Sequence, residues 1–518
     1  MRELRGSSTW AAASAVVVTA VAAGLPSLRL PLISDDWSNL AAVSDGVPWR
    51  TPFGYVRPLY LALFRLGRLL WGLSAWPYHA MSLVLFAACA LLVFTLVRRL
   101  TGDRILSTAA AVVFALQPFS IEVTAWPSAQ ADLLACMFAL ASLIAWDIWR
   151  TSRRAGALAA VFAFFVLGLL SKESAIVVPP LIALVEWRLA RTTPRARGAV
   201  AAIAVLAAVA AVHILFLRPH LLGKDGIALP QWSAGNARGA AIGYVAATVL
   251  PLPAEILEFH NRLAALAAAA VLITLAVLAR RAAGRVPAAA WFGGAAAVVA
   301  GVPALFAFQE RYYLMASVGV SVALVALVRA DGRKMRFAIV AAAGIVWGAS
   351  TALQWAEWYS AGRVSVAVVA GLAREAADPN VREIVIANLP HRVRGAPVVT
   401  DMSAIIKVIS DRKIPVAMAA RVDFGSENED GLDGTDGPAV VRDGADFLVH
   451  LRVPSGVYRR LVRPIVPVGG TVPTQGDSLM SWAGAERYTL RIPERRAAGR
   501  SVVVWTIGAL VPASALAP

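Results

Sequence analysis

The sequence predicts a mainly α protein: a polytopic helical membrane domain over residues 1–355, followed by a small extracytoplasmic α/β or α+β domain over residues 360–518. Three observations carry that fold class. First, 58% of the 518 residues are hydrophobic and 16% charged, with mean hydropathy +0.66, whereas a soluble domain carries about 25% charged residues. Second, several apolar runs approach the ~20 residues that a helix needs to cross the hydrocarbon core. Lys and Arg fall in short clusters between those runs, as the positive-inside rule expects. Third, beyond residue 360 the long runs give way to short alternating segments, the pattern of strands and amphipathic helices.

Composition also excludes classes. A formal net charge of +17 would suit nucleic acid, but the sequence has no basic stripe interleaved with aromatic residues. Cys89 and Cys136 lie inside predicted spans; they read as small apolar fillers and say nothing about disulfides. The chain has no phosphate-cradling Gly loop, no His-Glu-x-x-His pair and no Gly-x-Ser-x-Gly turn. The Ala-rich runs suit helix propensity and close helix packing.

Taken in order, Arg2 and Arg5 precede an apolar run at 10–28. No convincing small-residue cleavage site follows it, so it reads as a retained first span with a cytoplasmic N-terminus and Asp35-Asp36 outside. Residues 37–77 read as an external loop with an interfacial helix at 60–71. Spans follow at 78–97, 105–116, 131–150, 157–170, 175–187 and 199–217, and Arg98, Arg99, Arg104, Arg150, Arg153, Arg154, Arg188 and Arg191 mark their inner ends. A polar loop at 218–236 leads to an apolar stretch at 240–252, broken by Pro251 and Pro253. That stretch reads as a re-entrant or surface helix, because a crossing would put Arg280, Arg281 and Arg285 outside. Runs at 263–278, 288–308, 314–328 and 337–353 bring the total to about eleven spans and leave the rest of the chain external. There, 363–377 and 402–412 read as helices, and 381–389, 414–420, 439–441 and 501–505 as strands. The acidic, Gly-rich stretch 423–436 reads as a solvated loop, since its spacing misses that of a calcium loop.

The candidate functional residues gather on the predicted external rim: Asp35-Asp36, His79, Glu122, Asp132, Lys172-Glu173 and Glu310-Arg311. Each has a plain structural reading. Asp35 and Asp36 could be solvated loop acids. His79, beside Trp76 and Tyr78, fits an interfacial aromatic belt. Asp132 fits a helix N-terminal charge, Glu310 and Arg311 could be an ion pair at a span end, and Lys172 could snorkel. Together they are harder to dismiss. A charge near mid-membrane costs roughly 2.5–3.5 kcal/mol on insertion scales, less toward the rim, and so many such groups on one side mark a polar cavity.

These residues lie in stretches whose order and spacing, from about residue 33 to 319, resemble a known family. The stretches are Ser34-Asp35-Asp36-Trp37, Arg57-Pro58-Leu59, Tyr78-His79, Gln117-Pro118-Phe119 with Glu122, Ala131-Asp132-Leu133-Leu134, Leu170-Ser171-Lys172-Glu173-Ser174 and Glu310-Arg311-Tyr312-Tyr313-Leu314. They are similar to those of GT-C-fold polytopic membrane glycosyltransferases, in the branch of the protein O-mannosyltransferases and the TMTC-type O-mannosyltransferases. Gln117 stands where that family often has His, and Gln130 where an Arg commonly precedes Ala-Asp. No tetratricopeptide array follows the membrane part.

The resemblance implies a GT-C-like fold and transfer of a sugar, mannose among the options, from a polyprenyl-phosphate donor to a hydroxyl of a protein or glycan acceptor on the extracytoplasmic face. It implies catalytic roles for Asp35, Asp36 and Glu122, with Asp35 as the base. It also implies substrate contacts from Arg57, His79, Asp132, Lys172, Glu173, Glu310, Arg311 and Tyr312. A hydroxyl nucleophile needs a base, and a phosphate leaving group needs cations, for which Lys172 and Arg311 lie on the right side. No metal is required, although a divalent cation held by the acid that is not the base stays open. The protein is expected as a multi-pass plasma-membrane protein that engages no nucleic acid. The main rival is a transporter or flippase of lipid-linked saccharides, which would use the same charges for binding; the broken-helix internal repeat usual there is missing. A membrane scaffold is the third reading, and it leaves the rim charges without a purpose.

Overall fold

In a computed structural model, the described residues are 2–117, 119–190, 198–216, 234–247, 287–306, 310–329, 333–393, 396–399, 401–418, 421–424, 439–444, 446–452, 459–462, 480–482, 487–493, 499–506 and 508–517, with scattered positions between 266 and 280. In chain order their helices are α1 (Arg2–Gly24), α2 (Asp35–Ala42), α3 (Pro58–Trp71), α4 (Ala75–Thr101), α5 (Arg104–Leu116), α6 (Phe119–Ala125), α7 (Gln130–Ser152), α8 (Ala155–Ser171), α9 (Val178–Leu189), α10 (Ala199–Phe216), α11 (Ala234–Ala247), α12 (Ala288–Gly301), α13 (Leu314–Arg329), α14 (Arg333–Ala377), α15 (Met402–Ser410) and α16 (Ala513–Leu516). Residues 1–29 and 45–355 form one compact unit; residues 30–44 and 356–518 form another.

The first unit is helical and membrane-spanning. Five described segments are long and apolar enough to cross a bilayer: Thr9–Arg29, Ala75–Thr101, Pro127–Ser152, Ala288–Leu305 and Glu310–Arg329. This falls short of the expected count of about eleven spans, for identifiable reasons. Arg104–Leu116, Ala155–Ser171 and Ala199–Leu215 are apolar helices of lesser length. The expected span at 175–187 begins as a 3₁₀ turn at Glu173–Val177, and only then does α9 start, with prolines in its first turn. Pro is accepted there because those N–H groups have no intrahelical partner anyway. Most of the expected span at 263–278, most of the loop at 218–236, and the acidic stretch from 425 onward lie outside the described residues. Where a re-entrant or surface helix is expected near 240–252, the helix α11 runs up to Ala247, and where an interfacial helix is expected at 60–71, the helix α3 is found.

Local chemistry sets the helix ends. Gly102, in the left-handed region at φ +69°, closes α4, and its N–H donates to Arg98 O, the usual glycine stop. The Asp103 side chain then accepts from Leu106 N at 3.0 Å and opens α5, an N-cap. Three ion pairs tie this end of the unit: Arg99–Asp147 at 2.7 Å, Arg150–Glu186 at 2.8 Å and Arg329–Asp103 at 2.5 Å. Elsewhere α12 and α13 touch backbone to backbone. A Cβ on Gly293 would sit 2.6 Å from Gly319 O and 2.7 Å from Ala323 N, and one on Gly319 would sit 2.5 Å from Ala297 N. Close approach through small residues is how membrane helices gain packing without a hydrophobic drive.

The second unit is α/β. Its strands are β1 (Glu383–Ile386), β2 (Leu389–Val393), β3 (Ala396–Pro397), β4 (Val416–Met418), β5 (Arg421–Phe424), β6 (Ala439–Asp443), β7 (Asp446–Arg452), β8 (Arg459–Val462), β9 (Met480–Trp482), β10 (Arg487–Pro493), β11 (Arg500–Thr506) and β12 (Ala509–Pro512). They form sheets in the orders β12-β11-β1-β4, β6-β7-β10-β9 and β3-β2-β5-β8. β1 pairs parallel with both β11 and β4, and α15 lies in the connection that returns to β4. Val385, Val502 and Val504 of the first sheet share one core with Val440, Phe447, Val449 and Ile492 of the second. Residues 30–44 are stitched into this unit: Ser34 N donates to Val398 O at 2.9 Å, the Ser365 hydroxyl reaches Leu32 O at 3.4 Å, and Gly362 lies so close to Pro31 that a Cβ there would be 2.9 Å from the ring.

The Gly293–Gly319 contact makes a measurable expectation. Gly319→Leu should lower the thermal stability of the detergent-solubilised protein by an amount typical of overpacking, about 1–3 kcal/mol. Gly344→Leu, in α14 with open space around its Cα, should leave it nearly unchanged. Equal melting temperatures for the two variants would show that the α12–α13 contact is not tight.

Candidate active site

At the end of the helical unit opposite the Arg99, Arg150 and Arg329 pairs, three cations and three carboxylates gather, with Glu122, Asp132 and Lys172 buried and Arg57, Glu173 and Arg311 partly buried. α8 ends at Ser171, and Lys172 follows in extended backbone (φ −160°, ψ 146°) before the Glu173–Val177 turn. That break in the helix turns Lys172 toward the start of α7, where its Nζ donates to Asp132 Oδ1 at 2.5 Å. Both side chains are about 95% buried, at 4% and 5% exposure. Asp132 sits in the first turn of α7, where the helix dipole favours a carboxylate. Its other oxygen, Oδ2, lies 3.8 Å from Arg311 Nε.

Arg311 belongs to the 3₁₀ turn Glu310–Tyr313 that leads into α13. Glu122 of α6 holds it twice: Arg311 N donates to Oε2 at 2.8 Å and Nη1 to Oε1 at 3.2 Å. The guanidinium also lies over the Trp126 ring at 3.9 Å and the Tyr312 ring at 5.2 Å. Lys172 Nζ stands 4.2 Å from the centroid of the same Tyr312 ring. One carboxylate, Asp132, and one ring, Tyr312, thus serve two cations. Arg57, just before α3, forms a two-pronged pair with Glu173, with Nε to Oε2 at 3.1 Å and Nη2 to Oε1 at 2.9 Å, and it stacks on Tyr55 at 4.6 Å. Burial opposes the Arg57 charge, but the charge and hydrogen bonds of Glu173 outweigh it and raise its pKa. Lys172 is different: burial, opposed by Asp132 but joined by Arg57 and Arg311, brings its ammonium down to about 8.

The cluster therefore joins Arg57, Glu122, Asp132, Lys172, Glu173, Arg311 and Tyr312. Glu310 is buried next to Arg311 in the chain. His79 is fully buried near the start of α4, its Nδ1 3.4 Å from Thr124 O of the α6 backbone. Sequence reasoning missed two ring platforms, Tyr55 and Trp126, whose only signal was their nearness in sequence to Arg57 and Glu122. Gln130 donates to Tyr78 O at 2.8 Å and Ser82 Oγ at 3.0 Å, a helix-bridging role. Gln117 is fully buried, and its side-chain amide has no hydrogen-bond partner among the described residues. No group of three or more metal-ligating side chains occurs among the described residues.

Asp35 and Asp36 belong to the second unit, and their environments differ sharply. Asp36 is fully buried and accepts from Ile33 N at 2.9 Å, which closes the loop before α2. Asp35 is partly exposed at the first position of α2, its Oδ1 3.4 Å from the Ser34 hydroxyl. Ser34 has φ +48° and ψ −122°, a strained conformation for a residue with a side chain, and such strain gathers at functional sites.

Residues 52–218 match the family model for dolichyl-phosphate-mannose-protein mannosyltransferase. That match contains Arg57, Glu122, Asp132, Lys172 and Glu173 but neither Asp35-Asp36 nor Arg311. The chain is 31% identical over 134 residues to the protein O-mannosyl-transferase Tmtc1 of Drosophila melanogaster, covering 25% of this chain and 16% of that protein. It is 32% identical over 158 residues to Tmtc2 of the same species, covering 26% and 17%, and 35% identical over 88 residues to human TMTC2, covering 17% and 10%. The chain thus spans about a sixth of the length of the first two relatives. Two solved structures are similar, each at 15% identity: the archaeal oligosaccharyltransferase AglB of Archaeoglobus fulgidus (TM-score 0.40, 77% of this chain and 64% of that one) and ArnT of Cupriavidus metallidurans (0.33, 82% and 87%). Both scores lie below 0.5, and neither bears on what the chain does.

The pairing at Asp132 can be tested directly. Asp132→Leu leaves Lys172 buried without its counter-charge and should cost about 3–5 kcal/mol of stability, whereas Asp132→Leu with Lys172→Met removes both charges and should recover much of that loss. The measurement is thermal unfolding of the two variants in one detergent. A double variant less stable than the single one would contradict the pairing.

Proposed function

We propose that this protein is a membrane glycosyltransferase that moves a sugar, mannose by its family likeness, from a polyprenyl-phosphate donor to an acceptor hydroxyl on the extracytoplasmic face. The observation that carries the reading is the arrangement of Lys172 and Arg311, two buried cations sharing Asp132 and the Tyr312 ring at one end of a membrane unit. A departing lipid phosphate needs pre-set positive charge, which acts strongly where water is excluded. The overlap of residues 52–218 with a mannosyltransferase family supports the same chemistry.

In this reading Lys172 and Arg311 receive the phosphate oxygens. Asp132 and Glu122 hold those two cations in place, so Glu122 is a positioning carboxylate, its two oxygens already engaged by Arg311. Asp35 removes the proton from the acceptor hydroxyl as it attacks the anomeric carbon; the C–O bond to the phosphate breaks, and the phosphate leaves with the electron pair. Asp36 shapes the loop. The N-terminus and the Arg99, Arg150 and Arg329 end face the cytoplasm, as the positive-inside rule requires.

Three measurements check this. Asp35→Asn should keep donor binding and reduce transfer from a purified polyprenyl-phosphate mannose by roughly 10²-fold or more; full turnover would remove the enzyme reading and leave transport ahead. Arg311→Ala and Lys172→Ala should each weaken donor binding by about 1.5–3 kcal/mol, the worth of a hydrogen bond to a charged group; unchanged binding in both, with normal insertion, would make them structural. Finally, the Lys172 ammonium, with its pKa brought down to about 8 by burial, loses its proton as pH rises through that value. Donor use should fall on that alkaline limb, and Lys172→Arg should move the limb upward, because guanidinium stays charged.

A further inference from the structure

The second unit makes contacts around Asp35 that the family likeness does not cover, since the matched residues end at 218 and begin after the loop. α2, which Asp35 opens, is eight residues long, and Asp36, Trp37, Ser38, Asn39, Leu40 and Ala41 are all buried in it. So short a helix has marginal stability alone and depends on tertiary packing. Its support is α15 and the loop before it, some 360 residues along the chain. Lys407 Nζ donates to Ala41 O at 3.1 Å, at the end of α2 where the helix dipole is negative and orphan carbonyls accept cations. The Ser38 hydroxyl lies 3.5 Å from Asp401 Oδ2, while Asp401 Oδ1 accepts from Ala404 N at 2.9 Å and caps α15. Asp401 therefore couples the start of α15 to the middle of α2. At the front of the loop, the N–H of Ser34, the strained residue just before Asp35, donates to Val398 O. Val398, Asp401 and Lys407 thus meet the segment from Ile33 to Ala41 at its front, middle and end.

We propose that the C-terminal unit is a positioning device for Asp35, with Lys407 and Asp401 as positioning residues that act through α2. On this account the unit is part of the reaction machinery even though it lies outside the family match. The inference rests on Asp35 being the base, and it goes further by assigning a role to residues 398–407.

The test uses the full chain in membranes, with radiolabelled polyprenyl-phosphate mannose as the probe and release of polyprenyl phosphate as the readout. Lys407→Met should lower kcat by about tenfold with donor KM within about twofold, because the cations that take the phosphate are untouched. Lys407→Arg, which still donates to Ala41 O, should restore kcat to within about twofold. Amide hydrogen exchange in a peptide covering residues 33–43 should quicken in Lys407→Met while exchange in α7 and α8 stays as in the parent; a general loss of stability would raise all three. Asp401→Asn, which keeps an oxygen for the α15 cap and loses the acceptor for Ser38, supplies the second variant if Lys407→Met is not recovered. Unchanged kcat in these variants, with Asp35→Asn inactive, overturns the positioning role and spares the base. A raised donor KM at constant kcat overturns it too. An active Asp35→Asn would remove the base itself, and this inference with it.

Discussion

A buried charge must be neutralised by a neighbour, and that single demand shapes the cation-rich end of the helical unit. Arg57, Lys172 and Arg311 stand against Glu173, Asp132 and Glu122, each pair close enough for an ion pair. On the proposed reading, an arriving phosphate meets cations already paired and competes with Asp132, which Lys172 approaches to 2.5 Å and Arg311 to 3.8 Å. The rings of Trp126 and Tyr312 lie against the Arg311 guanidinium without competing for its N–H donors, because attraction to a ring face leaves the edge of the cation open.

The two ends of the same unit use the same chemistry for different purposes. The Arg99–Asp147 and Arg150–Glu186 pairs join helix to helix within regular backbone, and their residues follow from the positive-inside rule with acids added to fix register. At the other end the partners sit where helices stop: Lys172 between α8 and a 3₁₀ turn, Arg311 in the turn before α13, Glu122 in the seven-residue α6. Non-helical backbone at membrane depth is tolerated only where protein or a polar cavity satisfies it. The irregular end is the one assigned to the ligand on the proposed reading, while the pairs of the regular end join helix to helix.

Much of this was legible in the sequence, and what was not has physical causes. Charge sidedness exposes Lys172, Glu173, Glu310 and Arg311 as one rim, because insertion energies act residue by residue. Pairing does not follow from the sequence, since Arg311 could as well have paired with its neighbour Glu310 as with Glu122, which is 189 positions away. Strand positions at 383–386, 416–418 and 500–506 agree with the alternation that predicts them, whereas the β6-β7-β10-β9 sheet is only partly foreshadowed, by the Ala439-Val440-Val441 run. Hydropathy placed 175–187 as a continuous span, and Pro179 with Pro180 overrode it by allowing a helix to begin only at Val178. The grouping of residues 30–44 with 356–518 leaves no mark in composition at all, because the contacts join segments more than 300 residues apart.

That grouping bears on the two adjacent acids. Neighbouring residues with different surroundings do not share a proton; each takes the role its solvation permits. Asp36 has lost all contact with water and accepts from Ile33 N, so its carboxylate is committed to holding the loop shape and gains nothing by moving. Asp35 keeps part of its surface open, follows a strained residue, and opens a helix whose far end Lys407 holds. On the proposed reading Asp35 takes a proton from the acceptor hydroxyl, which needs that openness and also a fixed direction, because misplacement by about an ångström can cost on the order of 10²-fold in rate. Openness and fixity pull apart in a short loop. The chain reconciles them by leaving the side chain of Asp35 accessible and anchoring the backbone that carries it, with Val398 in front, Asp36 beneath and α15 behind.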